Sequence, residues 1–341
     1  MKRDDLVPAV GVVAIGRNEG ERLRRCLESV RKQAAYVVYV DSASQDGSTS
    51  MARGLGVEVV DLDLSMPFTA ARARNEGLRR LRALRPEVEF VQFIDGDCEL
   101  VAGWIATGLA PLLERAELAV VCGRVRERHR EASIYNRLCD LEWNTPVGEA
   151  EACGGNALMR ISAFERVGGF DAAIMAGEEP ELCLRLRAQG GKVLRVDADM
   201  VLHDAAMTRM LQWWRRTVRT GYGIAESVAR PGPVQPTNLQ RVRSAIVWVL
   251  AFPTIATIGI VLAAQRSSSA GVVMVAAGAA GLLVAQTARI ALKRKSPGEN
   301  AADAVLYATA CMAAKLPQLV GMLRYLGQRL RGRGPRLIEY K

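Results

Sequence analysis

Residues 90–100 read FVQFIDGDCEL, and this stretch holds the pattern from which the fold can be worked out. Its first five residues are mostly apolar and predict a buried strand. Asp95 and Asp97 follow at once, separated by Gly96, which lets the backbone turn close to a ligand. Acidic residues at the carboxyl end of a buried strand stand where open α/β sheets bind ligands. The same triplet taken alone is also typical of a solvated turn.

Short apolar runs of this kind recur along the first half of the chain and alternate with segments of helical periodicity. The alternation predicts an α/β fold with a mostly parallel sheet. Runs that are apolar throughout imply strands buried on both faces, which the crossover helices would cover. The predicted strands are 10–15, 36–40, 57–60, 90–94 and 119–121, and the clearest helices are 22–33 and 72–84.

A second acidic cluster occupies the same topological position one unit earlier. Residues 36–48 read YVVYVDSASQDGS, so Asp41 follows a strand directly and a polar turn begins with Ser42. Phosphate groups are bound economically through a hard divalent cation that carboxylates hold. We therefore expect Asp95 and Asp97 to form a site for Mg²⁺ or Mn²⁺ beside phosphates at this edge of the sheet.

Composition narrows the classes of partner. The chain has 341 residues, 50% of them hydrophobic, and a formal net charge of +10, which suits nucleic acid, an anionic membrane or a phosphorylated substrate. Only 5% of residues are aromatic and no basic stretch is interleaved with stacking aromatics, so we expect no nucleic-acid partner. The seven cysteines lack CxxC or zinc-site spacing and predict reduced thiols in a domain that faces the cytosol. The opening residues MKRDDLVPAVGVV predict no signal peptide.

Beyond residue 230 the composition becomes that of a membrane anchor. The segment 230–237, RPGPVQPT, predicts a linker. Residues 244–264 and 269–292 are apolar stretches long enough to span a bilayer, with buried core helices as the alternative. Basic residues flank the pair on its outer sides and only Arg266 lies between, so both ends should face the cytoplasm. We expect a multi-pass protein of the cytoplasmic (inner) membrane, in contact with its lipids.

A third apolar segment, 304–326, is interrupted by Lys315 and Pro317 and precedes a basic tail. If it crossed the bilayer, the tail would be exported against the positive-inside preference. We therefore predict that it lies in the membrane interface or re-enters, with the tail on anionic headgroups. The predicted divisions are an α/β domain at 1–229, a linker at 230–243, two transmembrane helices at 244–292 and this interfacial or re-entrant segment with its tail at 293–341.

An ordered set of motifs over about residues 8–225 resembles the family 2 glycosyltransferases, which have the Rossmann-like GT-A fold. One such match would mean little, but the common order of several is specific. The C-terminal stretch from Lys315 also resembles the end of membrane-bound exopolysaccharide glycosyltransferases. The ordered motifs are IGRNEGERLRRCLESV (15–30), VDSASQDGS (40–48), FTAARARNEGLRR (68–80), the Asp-Gly-Asp triplet, and the stretch 154–193 that begins GGNALMR.

The resemblance implies a site for a nucleoside diphosphate-sugar, with a UDP-sugar as the first expectation. Asp41 would accept hydrogen bonds from the base, with Ser42 beside it, and Arg74 and Asn75 would approach the base and diphosphate. Asp95 would support the ribose or the water shell of the metal. The first motif would place three more residues beside the nucleotide: Arg17, Asn18 and Glu19.

The metal site implied by the resemblance centres on Asp97, with Asp95 as a second candidate ligand. A histidine near the position of His203 can complete this site in the family. A neutral imidazole suits Mn²⁺ better than Mg²⁺. The alternative for His203 is a purely structural histidine.

The family's acidic catalytic motif is usually Glu-Asp, and this chain has Glu178-Glu179 instead. A glutamate can also deprotonate an acceptor hydroxyl, although its carboxylate reaches one methylene further. We assign the general base to Glu179, with Glu178 as the second candidate. Both also fit an exposed helix N-terminus, because Pro180 suits the first turn and acids favour the positive end of a helix dipole.

Two stretches are expected on the acceptor side. Gly155 and Asn156 belong to the motif that begins GGNALMR. The stretch 212–216, QWWRR, partly resembles the QxxRW signature of processive synthases, but Arg216 stands where tryptophan is expected, which puts processive synthesis in doubt. Gln212, Trp214 and Arg215 are the acceptor candidates there; anchoring of the tryptophans at the membrane interface is the alternative.

Together these features predict an inverting, metal-dependent glycosyltransferase that moves a sugar to a lipid-linked saccharide or polyprenyl acceptor in polysaccharide or cell-envelope assembly. A polyprenyl-phosphate sugar synthase is the close alternative, because such enzymes share the fold and the C-terminal spans. A non-catalytic membrane subunit that binds nucleotide is a second alternative, and the change to Glu178-Glu179 is its main support.

Overall fold

The computed structural model describes residues 10–63, 65–66, 68–230, 235–294 and 298–332. The chain divides after Ala206 into two compact units. The predicted linker residues 231–234, the basic Lys295 and the tail from residue 333 onward lie outside the described residues.

Within the described part of the first unit, nine strands form one sheet in the order β3-β2-β1-β4-β8-β6-β9-β5, with β7 also paired to β9. Neighbours from β3 to β4 are parallel, and β8 joins β4 and β6 in antiparallel fashion. The predicted α/β fold is confirmed, with a parallel first half and a mixed second half. The strands are β1 (Val10–Gly16), β2 (Tyr36–Asp41), β3 (Glu58–Asp61), β4 (Phe90–Asp95), β5 (Cys98–Leu100), β6 (Leu118–Glu127), β7 (Gly148–Glu149), β8 (Ala157–Arg160) and β9 (Lys192–His203).

Close helix packing buries the strands of the parallel half. Gly77 on the third helix faces Val13 so closely that an added β-carbon would overlap the valine side chain, and Gly11 meets Leu81 in the same way. Strands β1 and β4 are consequently almost fully buried. The helices of this unit are α1 (Glu21–Arg31), α2 (Ser48–Gly54), α3 (Ala70–Leu84), α4 (Trp104–Glu114), α5 (Ile134–Trp143), α6 (Ile161–Arg166) and α7 (Glu178–Ala188).

The second unit is helical. A continuous helix, Pro236–Gln265, contains a π-helical turn at 247–251. The predicted linker at 230–243 is therefore wrong for its second half, because a proline is favourable at the first position of a helix and Pro236 starts one here. The helices are α8 (Met210–Ala229), α9 (Pro236–Ile246), α10 (Phe252–Gln265), α11 (Ser269–Lys293), α12 (Ala301–Ala313) and α13 (Lys315–Leu330).

Three helices in the described part of the chain are long and apolar enough to cross a membrane: Pro236–Gln265, Ser269–Lys293 and Ala301–Leu330. Large apolar side chains on the first two, such as Ile255 and Val273, are exposed, so the alternative of buried core helices is wrong. The third is a candidate by length and composition, with a break at Ala314 between α12 and α13. Its predicted interfacial or re-entrant placement stays a prediction.

Helices α8 and α13 cross with their backbones in contact. An added β-carbon at Gly221 would overlap the backbone of Gln318, and one at Gly321 would overlap the backbone of Val218. The Tyr222 hydroxyl donates to Gln328 Oε1 over 2.9 Å beside this crossing. The two glycines, each facing the backbone of the other helix, allow this close approach of α8 and α13.

Candidate active site

Three neighbouring strands bring the acidic clusters to one edge of the sheet. Gly16 at the end of β1 is in register with Asp41 on β2, and Ile15 is in register with Asp95 on β4. The carboxyl ends of parallel strands meet here, as the sequence predicted.

Asp41 is buried and both of its carboxylate oxygens are held. The Tyr39 hydroxyl donates to Oδ1 over 2.7 Å and the Ser44 backbone N–H donates to Oδ2 over 2.7 Å. Burial and then the hydrogen bond to Asp41 raise the pKa of Tyr39, so the tyrosine stays a donor. The backbone N–H of Ser42 donates to the Gly16 carbonyl, which ties the polar turn to β1.

Asn18 connects the two loops that border this pocket. Its side-chain Oδ1 accepts from the backbone N–H of Gln45 over 2.8 Å, and its own N–H donates to Ser44 Oγ over 2.8 Å. Its φ of 54° is in the left-handed region, which asparagine tolerates better than most residues. Arg17 stacks over the Phe68 ring with its Cζ 4.7 Å from the centroid. These contacts shape the predicted nucleotide-side loop.

Glu19, the third predicted residue of this loop, is tied to the first helix. Its Oε2 lies 2.6 Å from Arg22 Nη2, and its side chain is 9% exposed. Because this carboxylate pairs with the Arg22 guanidinium, its contact in the structure ties the loop to α1.

Arg74 joins the two halves of the site. Its Nη2 donates to Asp95 Oδ1 and its Nη1 donates to Glu178 Oε1, each over 2.7 Å, and its side chain is 3% exposed. Burial alone would lower the pKa of Arg74, but the carboxylates of Asp95 and Glu178 raise it above the ordinary value. Its charge is therefore permanent, and one guanidinium links the strand end at Asp95 to the start of α7.

Glu178 and Glu179 begin α7, after Gly177 with a φ of 90°. Both therefore lie at a helix N-terminus, but Glu178 is buried and Glu179 is half-buried, so the alternative of an exposed terminus is wrong. Glu178 is the partner of Arg74. Burial and then the Glu178 carboxylate raise the pKa of Glu179 to about 8, against opposing effects of Arg74 and the backbone N–H groups.

Three predicted contact residues turn out to support other residues of the site. Asn75 uses both ends of its amide on the backbone of Phe170, over 2.7 and 3.0 Å, so the side chain holds that loop, and its approach to a nucleotide stays a prediction. Asn156, expected on the acceptor side, is buried and its Oδ1 accepts from the Asp95 N–H over 2.9 Å. An added β-carbon at Gly155 would lie 2.8 Å from Asp95 Oδ2, which explains the glycine.

A second group of side chains lies beside Asp97. Ligand atoms of Asp97, Cys98 and His203 lie within 4.8 Å of one another, and His203 Nε2 is 3.5 Å from Asp97 Oδ2. Burial, then the charges of Asp97 and Asp95, raise the pKa of the Cys98 thiol, so it stays protonated. A carboxylate with a neutral imidazole fits Mn²⁺ or Mg²⁺ better than a soft metal. The donor set therefore fits the predicted cation, and the roles of Asp97 and His203 as its ligands stay a prediction.

Sequence reasoning missed Glu127, the last residue of β6. Its side chain is fully buried, and its Oε2 lies 3.7 Å from His203 Nδ1. The residue belongs to the charged run RVRERHRE at 124–131, which has the composition of a solvated surface. Pairing of β6 with β9 through Glu127 and His203 buries it.

The remaining acceptor candidates, Gln212, Trp214 and Arg215, lie on the first turns of α8, in the second unit. Gln212 Oε1 accepts from the backbone N–H groups of Thr208 and Arg209, each over 3.0 Å, and so caps that helix. Trp214 is half-buried and Arg215 is exposed. Contact of these residues with an acceptor stays a prediction.

Comparison with known proteins gives the following likenesses. Residues 12–168 match the family described as glycosyl transferase family 2. The pre-mycofactocin glycosyltransferase of Mycobacterium tuberculosis is 26% identical over 253 residues, which are 71% of this chain and 52% of that protein. The succinoglycan biosynthesis protein ExoA of Rhizobium meliloti is 28% identical over 236 residues, which are 62% of this chain and 69% of that protein. The chain thus spans about half the length of the first relative.

Among solved structures, the chain is similar to the mannosyltransferase PcManGT from Pyrobaculum calidifontis in complex with GDP-Man and Mn²⁺. The TM-score is 0.59 at 19% sequence identity, and the match covers 94% of this chain and 87% of that one. This likeness shows the fold, an α/β GT-A domain followed by C-terminal helices that are long and apolar enough to span a membrane.

Proposed function

We propose that this chain, of which residues 12–168 match glycosyl transferase family 2, is an inverting, metal-dependent enzyme that transfers a sugar from a nucleoside diphosphate-sugar to a lipid-linked acceptor at the cytoplasmic membrane. The first donors to test are UDP-sugars, with GDP-mannose beside them. The acceptor class is a saccharide on a polyprenyl diphosphate or a related lipid, in polysaccharide or cell-envelope assembly.

The observation that carries the proposal is the division of labour between Glu178 and Glu179. Glu178 is paired with Arg74, whose other arm holds Asp95 at the donor side. Glu179 has no such strong cationic partner at hydrogen-bond distance among the described ion pairs, and its pKa of about 8 suits a group that takes a proton near neutral pH. A chain without catalytic duty has no physical need to keep a carboxyl group in this state.

The chemistry assigned to these residues is a single displacement. Glu179 takes the proton of the acceptor hydroxyl as its oxygen forms a bond to the anomeric carbon. The bond from that carbon to the diphosphate oxygen breaks on the opposite face, so the configuration inverts. Glu178 and Asp95, fixed by Arg74, keep the base and the donor edge in one arrangement.

Asp97 and His203 are the residues proposed to hold the divalent cation, which when bound stabilises the negative charge of the departing diphosphate. Asp41 and Asn18 border the pocket proposed for the nucleoside, since their hydrogen bonds fix the two loops there. Asn156 and Gly155 are now assigned to the support of Asp95, because their contacts face that residue.

The placement at a membrane is supported by the three apolar helices of the second unit. An enzyme tethered at the bilayer surface meets lipid acceptors at high effective concentration. The basic surplus of 46 Lys and Arg over 36 Asp and Glu suits anionic headgroups and a diphosphate-linked acceptor.

The test is a donor screen on the purified full chain in detergent or nanodiscs, with and without Mn²⁺ or Mg²⁺, followed by identification of the product. Metal-dependent transfer or hydrolysis of one donor, with inversion at the anomeric carbon, is expected. Transfer to a bare polyprenyl phosphate instead of a lipid-linked saccharide would assign the chain to the sugar-phosphate synthases. Nucleotide binding without turnover of any donor would indicate a non-catalytic subunit.

The base assignment is tested by Glu179→Gln, which should lower turnover by about 100- to 10,000-fold while nucleotide binding is retained. Glu181→Gln is the matched control, because Glu181 lies on the same helical turn and pairs with Arg185 over 2.6 Å. Unchanged turnover in Glu179→Gln would remove Glu179 from the mechanism.

A further inference from the structure

We propose that Glu127 is a positioning residue for the metal site, which fixes the His203 ring so that Nε2 is presented towards Asp97. The inference rests on the proposed function, since it concerns how the proposed cation site is built. Glu127 would touch neither the cation nor the substrate and would act through His203.

Strands β5, β6 and β9 bring Asp97, Glu127 and His203 together. Strand β9 runs between β5 and β6, and its last residue, His203, is in register with Cys98 on β5 and with Glu127 on β6. Asp97 immediately precedes Cys98. A register fixed on both sides leaves the His203 backbone little freedom to shift relative to either neighbour.

The Glu127 carboxylate is rigidly held from behind. Its Oε1 accepts from the His129 backbone N–H over 3.1 Å and from Asn136 Nδ2 over 3.3 Å. Its Oε2 accepts from the Ala205 backbone N–H over 3.0 Å and still faces His203 Nδ1 at 3.7 Å. The side chain is fully buried, so this oxygen cannot turn to water instead.

The His203 ring is flanked on both edges and on one face. Its Nε2 lies 3.5 Å from Asp97 Oδ2, and the Trp143 ring packs against it with centroids 4.5 Å apart. Among the residues that the structure describes, Nδ1 is a buried nitrogen without a hydrogen-bond partner, and Glu127 is the carboxylate that faces it. A small shift of the ring towards Glu127 would close that hydrogen bond.

Metal binding explains this arrangement. An imidazole that binds a cation through Nε2 must carry its proton on Nδ1, and an acceptor at Nδ1 fixes that tautomer and the ring orientation. A buried carboxylate opposite Nδ1 supplies the acceptor and makes the imidazole a stronger ligand. A histidine with a purely structural task would not need a charged acceptor here, since a backbone carbonyl would suffice.

The experiment measures Mn²⁺ binding to the full chain by electron paramagnetic resonance, without any sugar donor. Wild type, Glu127→Gln, His203→Ala and the double variant are titrated, and the nitrogen coupling of bound Mn²⁺ is recorded. We expect Glu127→Gln to weaken Mn²⁺ binding by about 10- to 100-fold and to reduce the imidazole nitrogen coupling. In the His203→Ala background the same change should have no further effect.

Glu99→Gln is the matched control, because Glu99 is a partly buried carboxylate on β5 that pairs with Arg25 and Arg128 and not with His203. It removes the same charge close to the site and should leave the nitrogen coupling intact. Glu127→Asp is the second variant in case Glu127→Gln does not fold. It keeps the charge but withdraws the carboxylate by one methylene, and it should weaken Mn²⁺ binding as well.

Wild-type Mn²⁺ affinity and nitrogen coupling in both Glu127 variants would overturn the inference, as would losses that simply add in the double variant. The proposed function fails in a different way: the wild type would then turn over no donor, whatever its Mn²⁺ affinity. A wild type that turns over a donor but shows no imidazole nitrogen on Mn²⁺ would overturn the inference alone.

Discussion

The carboxyl group of Glu179 is set to change its charge near neutral pH. Burial and the neighbouring Glu178 carboxylate raise its pKa to about 8, so most of it is protonated at pH 7. A general base acts only in its ionised form. At a saturating metal concentration, we therefore expect kcat/KM to fall about tenfold for each pH unit below 8 and to level off above pH 8. The measurement is a pH–rate profile, and a profile that is flat from pH 6 to 9 would contradict the assignment.

The carboxyl group of Glu179 should also make the free energy of unfolding depend on pH. Activity should rise with pH, whereas stability should fall. Between its ordinary pKa and about 8, the folded chain keeps a proton on Glu179 that the unfolded chain has released. The unfolding free energy attributable to this group therefore falls as pH rises through that window. Glu179→Gln removes the dependence, so the variant should gain thermal stability relative to wild type at pH 9 and lose that advantage at pH 5. Equal differences at both pH values would show that Glu179 is ionised throughout.

Arg74 is the residue whose loss should cost most at this site. Arg74→Met leaves the carboxylates of Asp95 and Glu178 without their shared buried cation, and we expect a destabilisation of about 3–5 kcal/mol. Arg79→Met is the control, since Arg79 pairs with Glu76 on the same helix but is 69% exposed. That change should leave the free energy of unfolding almost unchanged, because water screens an exposed ion pair. The measurement is thermal or denaturant unfolding of the two variants. Similar losses of stability in both would contradict a special role for Arg74.

At the scale of elements, the close crossing of α8 and α13 predicts which glycine of α13 can be replaced without loss of stability. A β-carbon at Gly321 would overlap the backbone of Val218, so Gly321→Val should separate the helices and lower the unfolding temperature by several degrees. Gly327→Val on the same helix is the control, because nothing lies within 4 Å of the added carbon there. Both variants make the same change in helix propensity within α13. If they melt together, the close crossing contributes nothing to stability.

The elements that could be predicted from the sequence are those with a local signal. Strands β1, β2 and β4 are short and apolar and were predicted almost to the residue, and the half-buried edge strand β3 was predicted to within one residue at each end. Strand β6 was expected to end near Val121 but runs to Glu127, because its charged second half is ordered only by pairing with the distant β9. No local pattern distinguishes such a strand from a solvated charged loop.

The residues of the candidate site also fall into those that could be placed from the sequence and those that could not. Asp41, Asp95 and Asp97 follow apolar strands and could be placed at one edge from the sequence alone. The supporting roles of Asn75 and Asn156 could not, since their partners, Phe170 and the Asp95 backbone, are distant in sequence. An amide in a motif looks equally suited to a ligand or to a loop, and only the partners that the fold brings near decide between them.

At the scale of the whole molecule, the chain combines an α/β unit with a helical unit that carries the apolar helices. Basic residues outside the first two of these helices predict that their outer ends face the cytoplasm and that their short connection, 266–268, lies on the opposite side of the membrane. The third helix has the length to cross, but a crossing would export the basic tail. If the tail lies on the cytoplasmic side, the third helix is interfacial or re-entrant. If the tail lies on the opposite side, the third helix spans the membrane.

Introduced cysteines can test this topology with a membrane-impermeant maleimide. The native cysteines are suited to such labelling because six are buried, and Cys311, which is half-buried, can be replaced by alanine. In spheroplasts of a bacterial host, Ser267→Cys should react at once, whereas Ser65→Cys in the α/β unit and Gly332→Cys after α13 should react only after the membrane is opened. Reaction of Gly332→Cys in intact spheroplasts would mean that the third helix crosses. Reaction of Ser65→Cys there would reverse the orientation and place the proposed active site on the side where cytosolic sugar nucleotides are absent.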